Sequence, residues 1–170
     1  MNKNIIISVI VAIIVLTGLL WWGRPNQKPA QSETVNTENT EAKSVLVASE
    51  KLYDFGTISM KNGDVTKEFT VTNPTDQDIV VPSLVTSCMC TKAFIVKSNG
   101  KTKGPFGMPG MGYVPPANET IKAGESRIIR VVYDPNAHGP AGVGQIDRFI
   151  ILTEASGGRL ELEIKALVTP

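Results

Sequence analysis

The sequence predicts an all-β domain built from two packed sheets, on three observations. Apolar residues recur with period two in short runs. Gly, Pro, Asn and Asp punctuate those runs. No apolar stripe of 3.6-residue period and useful length follows the first 22 residues, so helices are expected only as short turns. About seven strands at this spacing point to an immunoglobulin-like two-sheet β-sandwich. The only two cysteines, Cys88 and Cys90, are separated by one residue, so the usual disulfide between sheets is excluded and packing must hold the core.

The strands follow in order. Residues 44–48 open the domain. In residues 67–72, KEFTVT, Phe69 and Val71 share one face, and the run stops at Asn73-Pro74, where proline ends the ladder. Residues 78–85 form the next, with Pro82 marking a bulge or an edge position. Residues 91–97 continue as TKAFIVK, and residues 126–133 alternate as SRIIRVVY before Asp134-Pro135. Residues 145–153 and 159–168 make the last pair, joined by the glycine-bearing loop EASGG. In the final strand Leu160, Leu162, Ile164, Ala166 and Val168 point inward, while Glu161, Glu163 and Lys165 point out.

Ahead of this domain the chain divides in two. Residues 5–22 are an uncharged run of 18 ending in Trp21-Trp22. At about 1.5 Å per residue it reaches roughly 27 Å, close to the hydrocarbon thickness of a bilayer. Its length, its terminal aromatic pair and the lack of a small-x-small site directly after it favour an uncleaved anchor at residues 1–22 over a signal peptide. Residues 23–43 carry three charges of each sign and no aromatic residue, the composition of a flexible tether. The domain, residues 44–170, is thereby expected on the extracytoplasmic side, in an oxidising space where thiols can pair. From Ser44 to Pro170 basic and acidic residues balance at 13 each, with no basic run interleaved by aromatics, so nucleic acid is excluded as a partner.

Four segments, in order, carry a family resemblance: Tyr53-Asp54-Phe55-Gly56-Thr57-Ile58, then residues 67–73 ending in Asn73, then Thr86-Ser87-Cys88-Met89-Cys90-Thr91, then Lys122-Ala123-Gly124-Glu125-Ser126 before a strand. They resemble the successive signatures of a bacterial domain-of-unknown-function family, DUF1573, whose cysteine element reads S-C-G-C-T. The resemblance implies an envelope-exposed, immunoglobulin-like domain related to Hydin-type modules. It implies no reaction. The family's middle glycine is Met89 here, and residues 98–118 form a long extra loop, SNGKTKGPFGMPGMGYVPPAN.

That loop holds five glycines and four prolines, and structureless loops of such length are usually functional or disordered. Met108 and Met111 stand three apart at its centre, and a segment so poor in core offers methionine little to fill. In an extended segment Cys88 and Cys90 would share a side with Cα atoms about 6.6 Å apart, beyond the usual disulfide span, so that closing them would demand a bend or store strain. Sharing a metal asks only for sulfurs near 3.8 Å apart. Thiolate and thioether together select Cu(I). The single histidine, His138, lies in a glycine-rich loop before residues 145–153 and could join the same end of the sandwich.

The candidate metal ligands are therefore Cys88, Cys90, Met108, Met111 and His138, with copper as Cu(I) the expected ion. Catalysis is not expected, because His138 is the only base of its type and no phosphate-binding glycine loop opens a helix. The expected function is a membrane-tethered copper-handling or delivery domain. The alternatives are an envelope scaffold that meets a protein partner through the loop, with structural cysteines, and a thiol-disulfide partner.

Overall fold

A computed structural model describes residues 43–170. The expected anchor (1–22) and tether (23–43) lie outside the described residues, apart from Lys43, which forms a parallel bridge with Arg159. Among the described residues no helix is long and apolar enough to cross a membrane.

The described chain is an immunoglobulin-like β-sandwich. Its strands are β1 (Val47–Ala48), β2 (Leu52–Ser59), β3 (Val65–Thr72), β4 (Ile79–Val81), β5 (Ser83–Thr86), β6 (Thr91–Val96), β7 (Thr102–Phe106), β8 (Glu119–Ile121), β9 (Ser126–Tyr133), β10 (Gly144–Thr153) and β11 (Arg159–Thr169). One sheet runs β1-β3-β9-β6-β7, the other β2-β11-β10-β5, and β4 pairs with β8. Only β2 and β11 run parallel.

The core lies where the expected faces meet. Leu160, Leu162, Ile164, Ala166 and Val168 of β11 are all buried, as are Phe69 and Val71 of β3. Ile129, Val131 and Tyr133 of β9 and Ala93 and Ile95 of β6 join them in one apolar cluster. At about 1.5–3 kcal/mol for each large side chain removed from water, this cluster replaces the missing inter-sheet disulfide.

Eleven strands stand where about seven were expected, for local reasons. Residues 78–85 are not one strand. Pro82 has no N–H to give to a ladder, and the chain changes sheet there: β4 pairs with β8, β5 with β10. The Pro82 carbonyl instead accepts from the N–H groups of Ala117 and Asn118 at 2.8 and 3.2 Å. The segment 98–118 is not structureless throughout, because Thr102–Phe106 forms β7 against β6. Its TKGPF sequence buries only Phe106 and shows no alternation, so backbone pairing alone makes it a strand. Gly104 has φ +130°, and a Cβ there would fall 2.9 Å from the Ala93 carbonyl oxygen.

Candidate metal centre

Residues 87–90 carry the chain from β5 in one sheet to β6 in the other, and this crossing makes the cysteine segment a turn rather than the extended strand expected. The N–H of Thr91 donates to the Cys88 carbonyl at 3.1 Å. The Thr86 hydroxyl lies 3.1 Å from the Cys88 carbonyl and 3.0 Å from that of Thr91, so one side chain holds both ends of the turn. Ser87 and Phe149 exchange two hydrogen bonds, backbone N–H to carbonyl at 3.0 Å and backbone N–H to hydroxyl at 2.9 Å. The N–H of Asp134 donates to the Cys90 carbonyl at 2.9 Å, which ties the loop after β9 to the same turn.

The two thiols are free, and their sulfurs lie 2.7 Å apart. Cys90 is 2% exposed and Cys88 is half-buried. His138 Nε2 reaches Cys88 Sγ at 3.1 Å. Together the two sulfurs and the imidazole offer three ligand atoms, all within 4.8 Å of one another. The loop is shaped for this. The Asp134 carboxylate accepts from the Asn136 N–H at 2.8 Å, Asn136 Nδ2 donates to the Met60 carbonyl at 2.9 Å, and a short 3₁₀ turn, Gly139–Gly142, begins directly after His138. A side chain at position 142 would press on His138 Cβ at 3.3 Å.

A fourth group, Arg148, was not among the expected site residues. Its Nε donates to Cys90 Sγ at 3.3 Å. In β10 the buried positions are Ile146, Ile150 and Leu152, so Arg148 occupies the inward phase of an apolar strand. A guanidinium in that phase is the sequence signal that could have found it, since an inward charge demands a partner.

The electrostatics separate the two thiols. Burial pushes Cys88 up, but hydrogen bonds from the Cys90 thiol and backbone and from His138, with the charge of Arg148, outweigh it and bring Cys88 down to about 7. Burial pushes Cys90 up, and donating to Cys88 pushes it further, against the pull of Arg148 and Thr91. One proton is thus held on the inner sulfur while the outer one ionises near neutrality.

Residues 46–103, which include this turn, match the family described as protein of unknown function, DUF1573. This stretch is similar to the DUF1573 family. No curated protein matches the chain. Among solved structures, a protein of unknown function from Porphyromonas gingivalis W83 is similar with a TM-score of 0.53 at 16% identity, over 75% of this chain and 49% of that one. The chain therefore spans about half the length of that relative. A family 123 glycoside hydrolase from Clostridium perfringens is similar with a TM-score of 0.53 at 7% identity, over 74% of this chain and 27% of that one. The ASH / PapD-like domain 7 of human CEP192 aligns with a TM-score of 0.46 at 11% identity, over 75% of this chain and 87% of that one. At such identities the likeness to the first two is one of fold.

The DUF1573 match contains both cysteines, while His138, Arg148 and the two loop methionines lie beyond it. Of the five residues the sequence singled out, the fold brings Cys88, Cys90 and His138 together. Cys88 and His138 line one hollow, with Arg148. Met108 and Met111 line another, with Met89. Two sulfurs and an imidazole suit a soft or borderline ion. Two thiolates on one ion stand roughly 3.8 Å apart, so the sulfurs of the cysteine turn would open by about 1 Å to share it. The same turn removes the distance that an extended segment would have placed between the sulfurs, and so favours closure to a disulfide more than expected.

Proposed function

We propose that this is a membrane-tethered, extracytoplasmic domain that binds one Cu(I) ion through Cys88, Cys90 and His138 and serves copper handling or delivery. The supporting observation is the convergence of the chain's only two thiols and only imidazole within 4.8 Å, from segments far apart in sequence. The half-buried Cys88 and exposed His138 leave the ion a way in and out, while the buried Cys90 and the half-buried Arg148 hold the inner side. Arg148 offsets the charge of a bound dithiolate. The tether rests on the apolar run of residues 5–22. The test is a titration of the full chain with Cu(I) against a chromophoric chelator. Against a chelator strong enough to strip neutral thioethers, about one equivalent is expected, lost in Cys88→Ser/Cys90→Ser, and uptake at that strength that survives both serines overturns the ligand set.

A second reading, thiol-disulfide exchange, is favoured by the 2.7 Å between the sulfurs. The Cys88 thiolate would attack a disulfide of an envelope protein, releasing one partner thiolate. Cys90, giving up its proton, would then displace the second partner thiolate and close the Cys88–Cys90 bond, so that two thiols here are oxidised as one disulfide there is reduced. A reversible loss of two hydrogens in the intact mass across a glutathione redox series identifies this reading. A pair that stays reduced throughout rejects it.

A further inference from the structure

We infer a second soft-cation site, made of thioethers alone, where Met89, Met108 and Met111 line one hollow of about 160 Å³. It does not depend on the thiol site, and its chemistry is different.

The sequence Met108-Pro109-Gly110-Met111 is a turn with proline at its second position and a glycine of φ +85° at its third, closed by the Met111 N–H on the Met108 carbonyl at 3.3 Å. This is the type II pattern, and it brings the two methionines to neighbouring ends of one tight turn. The Thr86 N–H donates to the Gly107 carbonyl at 3.1 Å, which fastens the loop beside the cysteine turn. Met89 then enters the hollow from that turn. Core filling does not account for the trio, because Met89 is 43% and Met111 57% exposed. No carboxylate, imidazole or thiol lines the hollow, and its one formal charge is Lys92. A hard cation finds no anionic ligand there, whereas three neutral thioethers select Cu(I) or Ag(I). Since thioethers carry no proton to lose, this site keeps its ion where thiols are protonated.

The test uses the full chain with Cys88→Ser, Cys90→Ser and His138→Ala, titrated with Ag(I) at about pH 5, well below the thiol range, and read by the ¹³C-methyl signals of its methionines. The signals of Met89, Met108 and Met111 are expected to shift together and saturate at about one equivalent, while Met1 and Met60 stay in place. Adding Met108→Leu and Met111→Leu is expected to abolish the shift at Met89. The inference is overturned if the three signals stay still, if Met60 moves with them, or if the leucine variant keeps the response. Should the blanked variant not fold, the second equivalent of Ag(I) added to the native chain gives the same readout with the same outcomes. Loss of the thiol site alone leaves these signals responsive, so the two sites fail separately.

Discussion

His138 Nε2 stands 3.1 Å from the sulfur of Cys88, across 50 residues of chain. The contact joins the β5–β6 turn to the loop between β9 and β10, and it makes the imidazole the outer jaw of the thiol pair. Cys90 is the inner one. His138→Ala is accordingly expected to weaken Cu(I) binding with unchanged stoichiometry, since both thiolates remain, whereas Cys90→Ser removes binding at the thiol site. Competition titrations of the two variants distinguish these outcomes, and equal losses would place the histidine among the indispensable ligands.

Alkylation of Cys88 by iodoacetamide should follow its ionisation, with the rate rising through about pH 7 while Cys90 reacts slowly. Arg148 favours the thiolates by charge and by its hydrogen bond to Cys90. In Arg148→Gln the midpoint should move upward, because a cation that favours the ionised form is gone. A profile that keeps its midpoint would separate the arginine from the sulfur chemistry.

Glu119 is 2% exposed and holds Arg127 Nε at 2.9 Å through one oxygen. Its other oxygen has no well-aligned hydrogen bond and sits 3.1 Å from Lys97 Nζ and 3.7 Å from Lys103 Nζ. Burial pushes its carboxyl up, but Arg127 and Lys97 outweigh that and hold it below its ordinary 4.5. The stabilisation from this depressed group is complete above that ordinary value and is lost as pH falls through the lower folded one. Glu119→Gln should cost about 1.5–3 kcal/mol in urea unfolding at neutral pH, since the buried Arg127 loses its charged hydrogen bond to Glu119 and keeps only the half-buried Glu125 at 3.0 Å. The part of the acid-induced loss due to Glu119 should vanish with it.

Gly104→Ala should destabilise the fold by about 1–3 kcal/mol, as a side chain at φ +130° is strained and its Cβ would meet the Ala93 carbonyl. Thermal denaturation checks this. An unchanged midpoint would mean that β7 shifts freely on its neighbour.

The long strands were legible because their buried positions repeat without interruption: β11 alternates over its whole length, and β9 buries every second residue from Arg127 to Tyr133. Three kinds of element were not. Thr102–Phe106 pairs through its backbone and carries no pattern. Pro82 reads as a flaw within one strand, although it marks a change of sheet. Leu52–Ser59 lies parallel to β11 with half-exposed side chains, so only the resemblance marked it. Within the site, residue types named the two cysteines and the histidine. The turn between the sulfurs was hidden, because only the sheet order requires the chain to cross from β5 to β6 in four residues. The separation of Met108 and Met111 from His138 was hidden for a related reason: nothing local says which side of the cysteine turn a loop will pack against.

No residue between Thr86 and Thr91 has a positive φ, so the middle position of the cysteine turn, Met89, makes no demand for glycine. The backbone around it is fixed from outside, by Thr86, Phe149 and Asp134. That slot is free to drift: a lineage can install a thioether, or any other group, between the thiols without disturbing them, and can acquire new specificity there by point mutation on an unchanged frame.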